Sequence, residues 1–321
     1  MIVDLEFSNS LFQQTLLFTL MSYTWLISPP YFCFACILKC KVNRLHWSLV
    51  MKRIKHAMLL ITLLGTICSQ PVFADDALQA AINGSQRSDA NKARDAARHP
   101  QQTLEFFGIK PAMTVVELNP GGGWYTEILA PYLRAQGQLI EAYADPKSKD
   151  EENRNDAAAI QKKMKASPDL YDKVNSATFE PPVILNFTPN NSVDMVLTFR
   201  NVHNWVGFGD DKMQALFKGV FNSLKKGGVF GVVDHRLPAN KVQDKDASTG
   251  YVLEAYVIKI AESAGFKLAG KSEINANPKD HADHKNGVWA LPPTFANKDE
   301  DRKMYAEIGE SDRMTLKFVK P

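Results

Sequence analysis

Val115-Val116-Glu117-Leu118-Asn119-Pro120-Gly121-Gly122-Gly123-Trp124-Tyr125-Thr126 is a β-branched run that passes through a glycine turn into a segment with helical spacing. Glycine admits φ above zero and leaves no side chain on the contact surface. Such a turn therefore lets the backbone amides at the next helix's N-terminus approach a ligand closely. Packing alone also requires tight strand-to-helix turns, so the stretch has two readings until its neighbours are read.

Working outward, residues 124–133 carry apolar helical spacing, and Gly137 leads into a second β-rich run at 138–144. That is a strand-helix-strand unit, which implies parallel pairing. Downstream, 147–173 is charged and helix-prone, and 178–188 is an irregular connection containing Pro181-Pro182. A buried strand at 192–199, an amphipathic helix at 212–224 and a strand at 228–234 entered through Lys225-Lys226-Gly227 follow. A helix at 251–264 closes on Gly265, a strand occupies 266–274, and the alternation at 313–319 suits a final antiparallel strand. Upstream, 75–99 is polar and Ala-rich with Asp89 as its expected N-cap. Pro100 suits the first turn of a second helix that places Leu104, Phe106 and Phe107 on the core before Gly108. No repeat or Gly/Pro/Ser-rich linker divides the region, so a single domain is expected.

The succession of an acid-ended first strand, a later SVDMVLTF strand and a Lys-Lys-Gly-Gly turn opening the next resembles class I S-adenosylmethionine-dependent methyltransferases, and in particular exported ones sharing Pro-Gly-Gly-Gly and Asp-His-Arg. The resemblance covers about 99–321. It implies an α/β Rossmann-like methyltransferase fold: a mostly parallel seven-stranded sheet, helices on both faces and an antiparallel last strand. It also implies S-adenosylmethionine as cofactor. Glu117 matches the family's strand-end acid, and Gly121 and Gly123, with Gly122 between them, match its glycine turn. Asn119 stands at the first glycine, and Asn is the non-glycine residue that best tolerates left-handed backbone. Tyr143 stands where the family has a ribose-binding carboxylate, with Asp145 two residues on as the group expected to reach in. Arg200 completes the expected cofactor set.

Ligands of open parallel sheets sit beyond the carboxyl ends of the strands. Residues following the fourth and fifth strands therefore fall at the pocket: Arg200, Asn201, His203, Asn204 and Trp205, then Asp234, His235 and Arg236. Of these, His203, His235, Asp234 and Arg236 are assigned to the substrate side as candidate catalytic groups, since an imidazole titrating near neutrality suits proton removal. Methyl transfer is otherwise largely alignment. A nicotinamide dinucleotide site requires a small residue at 126, where Thr126 stands. Asp280-His281-Ala282-Asp283-His284 has metal-like spacing but lies in a polar stretch and is read as a solvated loop. Cys33, Cys36 and Cys40 have no histidine to complete a site, so no metal is assigned.

The front of the chain reads separately. Residues 51–74 have a basic opening (Lys52, Arg53, Lys55), a short apolar core and a small-residue end. They form a secretory signal with cleavage expected after Ala74, hence a periplasmic location. Ile67 before Cys68 argues against lipid attachment. Residues 1–50 are read as an over-long start, with an inner-membrane anchor through 11–38 as the alternative. All four cysteines lie before Asp75, so residues 75–321 have no disulfide. The expected division is a helical segment at 75–110 and a methyltransferase-like domain at 111–321. Residues 1–74 hold six Lys/Arg and two Asp/Glu, leaving 32 against 33 in the rest. That balance gives no reason to expect nucleic acid or stable membrane association as partners. A small-molecule acceptor is expected. The competing function is a non-catalytic periplasmic module that keeps the fold and binds another small ligand, a reading favoured by the cytoplasmic origin of S-adenosylmethionine.

Overall fold

The structure is a computed structural model that describes residues 76–321. The expectations for a signal over 51–74, cleavage after Ala74 and an anchor at 11–38 lie outside the described residues.

The glycine turn connects β1 (Thr114–Leu118) to helix α5 (Thr126–Leu133). β1 pairs in parallel with β2 (Gln138–Tyr143) on one side and β4 (Val193–Phe199) on the other. β2 continues to β3 (Asn175–Thr178), and β4 to β5 (Leu224–Leu237). β8 (Arg313–Val319) then runs antiparallel between β5 and β7 (Lys267–Ser272), giving the order β3-β2-β1-β4-β5-β8-β7. A two-residue β6 (Val252–Leu253) pairs with the end of β5. The seven-stranded α/β sheet with an antiparallel last strand is therefore as the sequence implied.

Alternation within β1 assigns its two faces. Val115 points to a core built with Leu104, Ile128, Leu129 and Leu133, from α4 (Pro100–Phe107) and α5. Val116 and Leu118 point to the opposite core, with Met213, Leu216 and Phe217 of α9 (Asp210–Ser223) and Val257 and Ile260 of α10 (Glu254–Ser263). A strand buried on both faces must be apolar throughout, which is why TVVEL and VDMVLTF lack hydrophobic/polar alternation. Each fully buried Leu or Phe contributes about 1.5–3 kcal/mol.

The 75–110 segment is divided more finely than expected, into α1 (Asp76–Asn83), α2 (Asp89–Lys92), α3 (Asp95–Arg98) and α4. Ser88, not Asp89, caps α2, its hydroxyl accepting from the Asn91 amide at 3.2 Å. Pro100 opens α4 and Gly108, at φ 84°, closes it as expected. The charged segment folds as α6 (Glu151–Ala166), capped by Asp150, and the single turn α7 (Pro168–Tyr171). β3 was not legible, because NSAT is a mostly exposed edge strand with no apolar signal. β5 starts earlier and ends later than expected: Leu224 pairs with Val193 and the register resumes at Val229, so the Lys-Lys-Gly-Gly turn is a bulge inside the strand, and Asp234, His235 and Arg236 lie within it instead of after it. The remaining helices are α8 (Val202–Val206) and α11 (Arg302–Ile308).

Candidate functional site

The glycine turn has the conformation its residues permit. Asn119, Gly121 and Gly123 lie at φ 46°, 55° and 71°. A Cβ added at Gly121 or Gly122 would meet nothing within 4 Å, so this backbone faces open space. At Gly123 it would meet the Lys163 Cδ at 2.8 Å and Ile160 Cδ1 at 3.0 Å, so that glycine serves the packing of α6. Lys163 Nζ also donates to the Gly122 carbonyl at 3.0 Å. Asn201, the residue after Arg200, donates from Nδ2 to the Leu118 and Asn119 carbonyls, fastening the turn to the end of β4.

Glu117 does not reach the cleft. It is 2% exposed and accepts from Thr126 Oγ1 at 2.9 Å, directly opposite Glu141 in the parallel register. The residue at 126 that fails the dinucleotide spacing thus ties β1 to the first turn of α5. Burial pushes Glu117 up to about 7 against its hydrogen bond from Thr126. Burial and then the Glu117 charge push Glu141 well above the carboxylate range.

At the end of β2, Tyr143 lines a small cavity of about 20 Å³ with Asn119, Pro120 and Gly121, roofed by Asn153, Asp156 and Ile160 of α6. Its hydroxyl lies 3.0 Å from Ser176 Oγ. Asp145 does not enter this cavity, because its carboxylate accepts from the Lys147 amide in a local turn.

A cavity of about 330 Å³ at these strand ends is lined by Asn119–Gly122 together with His203 and His235. Asp234, fully buried, holds His203 at two points: Nδ1–H donates to Oδ1 at 2.8 Å and the backbone amide to Oδ2 at 3.1 Å. The His235 amide donates to the same Oδ1 at 2.7 Å. The two imidazoles are 5.0 Å apart, and His235 Nδ1 is hydrogen-bonded to Ser311 Oγ at 2.6 Å. The sequence put both histidines at these strand ends, and the fold brings them together. Arg236, one residue on, leaves this cavity for the other side of the strand. Asp312 and Glu273 take its guanidinium, at 2.8 and 2.7 Å. Trp205 is buried in the core beside Phe179, and neither it nor Asn204 lines the cavity.

Sequence reasoning missed the cavity's basic wall. Arg94 and Arg98 line it together with Arg200, the last at φ 63° immediately after β4. Trp124 docks this wall on the turn: its Nε1 donates to the Asn91 carbonyl at 3.1 Å, and Arg98 lies 4.7 Å over its ring. The spacing of Arg94 and Arg98 in an Ala-rich stretch was visible, but it reads equally as a solvated helix face. Trp289, on a far loop, comes within 6.3 Å of His203.

The electrostatics of the cavity are set by these cations. Burial and then Arg200 lower Arg98 to about 9, while burial and then Arg313 lower Arg200 to about 10. Glu310, against burial that acts the other way, is held at about 2 by Arg98, Arg313 and Arg94. Burial, then His203 and the arginines, keeps His235 well below the usual imidazole range. His203, Asp234 and His235 offer ligand atoms within 4.8 Å of one another, the geometry of a two-histidine, one-carboxylate metal site. Both Asp234 oxygens are already accepting, and the neighbouring guanidiniums repel a cation, so the cluster is better suited to proton transfer. The Asp280–His284 stretch is more buried than a solvated loop: Asp280 accepts from Tyr251 Oη at 3.0 Å, from the Asp312 amide at 2.8 Å, and lies 2.9 Å from His284 Nε2. That carboxylate organises the loop.

No family model and no curated protein matches the chain. Among solved structures, a SAM-dependent methyltransferase from Aquifex aeolicus is 16% identical with a TM-score of 0.47, over 71% of this chain and 93% of that one. A geranyl diphosphate methyltransferase in complex with SAM is 10% identical at 0.48, over 76% and 95%, and the [4+2]-cyclase SpnF is 15% identical at 0.48, over 74% and 85%.

Proposed function

We propose that this chain transfers a methyl group from S-adenosylmethionine to an oxygen or nitrogen of a small molecule, with His203 as general base. The observation that carries the reading is that a carboxylate-held histidine and a glycine turn line one cavity. The turn suits the cofactor, since at Gly121 and Gly122 bare backbone faces open space. Asn119, Gly121 and Gly122 would hold it there, with Tyr143 in place of the ribose carboxylate. When bound, the cofactor supplies a methyl group already activated on a sulfonium. Glu117 acts beneath the turn by holding Thr126.

Asp234 fixes the tautomer of His203: with Nδ1–H donated to the carboxylate, Nε2 is the nitrogen left with a lone pair. An acceptor whose oxygen or nitrogen faced that methyl group would give its O–H or N–H proton to Nε2 of His203. The imidazolium that results is stabilised by Asp234. Export through the 51–74 signal places this reaction in the periplasm, with neither nucleic acid nor membrane as partner.

A non-catalytic binding module is the second reading, favoured by the 20 Å³ left between Tyr143 and α6 where an adenosine would lie. Calorimetric titration of the purified protein with S-adenosylmethionine and S-adenosylhomocysteine separates the two. Micromolar binding of both supports methyl transfer, and a folded protein that binds neither supports the binding module.

A further inference from the structure

The guanidiniums of Arg94, Arg98 and Arg200 line the cavity beside the carboxylate of Glu310, with that of Arg313 behind them. Arg94 Nε, Arg98 Nε and Arg313 Nη1 reach Glu310 at 2.7, 3.2 and 2.8 Å. Glu310 cannot satisfy three cations. The Nη2 groups of Arg94 and Arg98 are shut off from solvent without a hydrogen-bond partner. Among the described residues, the guanidinium of Arg200 makes neither an ion pair nor a hydrogen bond with the protein, although it lines the cavity.

Unpaired charge of this kind does not stabilise a fold. Removing cations from water is unfavourable unless partners offset it, and three arginines sharing one carboxylate leave much of that offset missing. Arg200 also stands in left-handed backbone, which is unfavourable by roughly 1–2 kcal/mol for a non-glycine residue. A residue that is both strained and unpaired, at the mouth of a cavity, is placed for something that arrives. The planar guanidinium fork matches the two oxygens of a carboxylate or phosphate. Burial, and after it His203 and the arginines, lowers His235 well below the usual imidazole range, and the arginines offer an anion cationic donors along one wall of the cavity.

We propose that the acceptor is a small organic acid whose carboxylate or phosphate group is held by Arg200, within the field of Arg94, Arg98 and Arg313, with its nucleophile turned to His203. This rests on the methyl-transfer reading for what the acid does in the cavity, but not for its binding. The donor carries a carboxylate of its own, so the same chemistry has two sources, which the experiment distinguishes.

The experiment is calorimetric titration of the purified protein at low salt with succinate, inorganic phosphate and uncharged succinamide, with and without saturating S-adenosylhomocysteine. Wild type, Arg200→Gln and Arg200→Lys are compared, with thermal melts of each. We expect succinate or phosphate to bind in the presence of S-adenosylhomocysteine and succinamide not to bind. Arg200→Gln should weaken the anion about 10- to 100-fold, the worth of a hydrogen bond to a charged group. Arg200→Lys should recover part of the loss, and the loss of anion affinity in Arg200→Gln should exceed any change in affinity for S-adenosylhomocysteine. Arg200→Gln should also melt no lower than wild type, since it removes an unpaired cation, and a large loss of stability would assign Arg200 a structural role instead. If Arg200→Gln weakens S-adenosylhomocysteine and no separate anion binds, the guanidinium serves the cofactor: the acid-acceptor proposal falls and methyl transfer stands. If anions bind through Arg200 but S-adenosylhomocysteine does not bind at all, methyl transfer falls and the anion site stands. Failure of every anion to bind folded wild-type protein overturns the proposal.

Discussion

Glu141→Gln is expected to stabilise the protein, by an amount that grows as pH rises above about 4.5. Glu117 and Glu141 face each other on adjacent parallel strands, both buried, and neither oxygen of Glu141 has a hydrogen-bond partner. Both carboxyls are raised in the folded state relative to an ordinary 4.5, Glu117 to about 7 and Glu141 well above its usual range. Between 4.5 and those values the folded protein binds more protons than the unfolded chain. Its stability is therefore full below pH 4.5 and falls as pH rises through 7 and beyond. Ionising Glu117, raised from 4.5 to about 7, costs about 3 kcal/mol at 1.36 kcal/mol per unit, and Glu141 resists ionisation in the same direction. A glutamine there carries no charge and can donate its amide to Glu117. At pH 8 the variant should melt above wild type, and relief of Glu117 alone, up to about 3 kcal/mol, would be roughly 6–12 °C in Tm for a domain of this size. At pH 5, where both side chains at 141 are neutral, the difference should fall below about 1 kcal/mol. Calorimetric melts of wild type and variant across pH 5–9 test this. A wild-type Tm that does not decline above pH 7, or a variant shift equal at all pH values, would refute the reasoning.

The other predictions concern the cavity. Asp234→Asn should lower the methyl-transfer rate by at least about 100-fold with S-adenosylhomocysteine affinity unchanged, because His203 loses its fixed tautomer. Equal rates in single-turnover assays would remove His203 as base. Gly121→Val has room for its side chain but forces a β-branched residue to φ 55°. It should weaken cofactor binding more than tenfold and destabilise by about 1–2 kcal/mol, read by calorimetry and melting. Glu310→Gln leaves its arginines uncompensated and should destabilise by about 3 kcal/mol in chemical denaturation at pH 7. In wild type the same carboxyl, held at about 2, contributes stability that is present above pH 4.5 and lost as pH falls toward 2. His235, lowered by burial, adds a loss that begins below pH 6.5, since the unfolded chain takes up that proton first.

The sequence by itself determined the sheet and its crossover pattern. Buried parallel strands must be apolar on both faces, and turns that need left-handed backbone select glycine or asparagine, so TVVELNPGGG and VDMVLTF are local statements of a global arrangement. It also put His203, Asp234 and His235 at the carboxyl ends of β4 and β5, and the ends of neighbouring parallel strands share one edge of the sheet, but whether the two histidines meet was not legible. Only the tertiary structure decided what each side chain does there. One step along β5 separates His235 in the cavity from Arg236 in a surface ion-pair cluster, and which way a strand-end residue turns depends on partners such as Asp312 that are distant in the chain. Asp145 looked available for a ligand, yet a local turn takes its carboxylate, and Glu117 was drawn beneath the turn by Thr126. The basic wall comes from α2–α3, the end of β4 and the start of β8. Its net charge is a sum over residues far apart in sequence, each unremarked in its own segment, and only the packed fold brings Arg94, Arg98 and Arg313 onto the one carboxylate of Glu310, with Arg200 beside them.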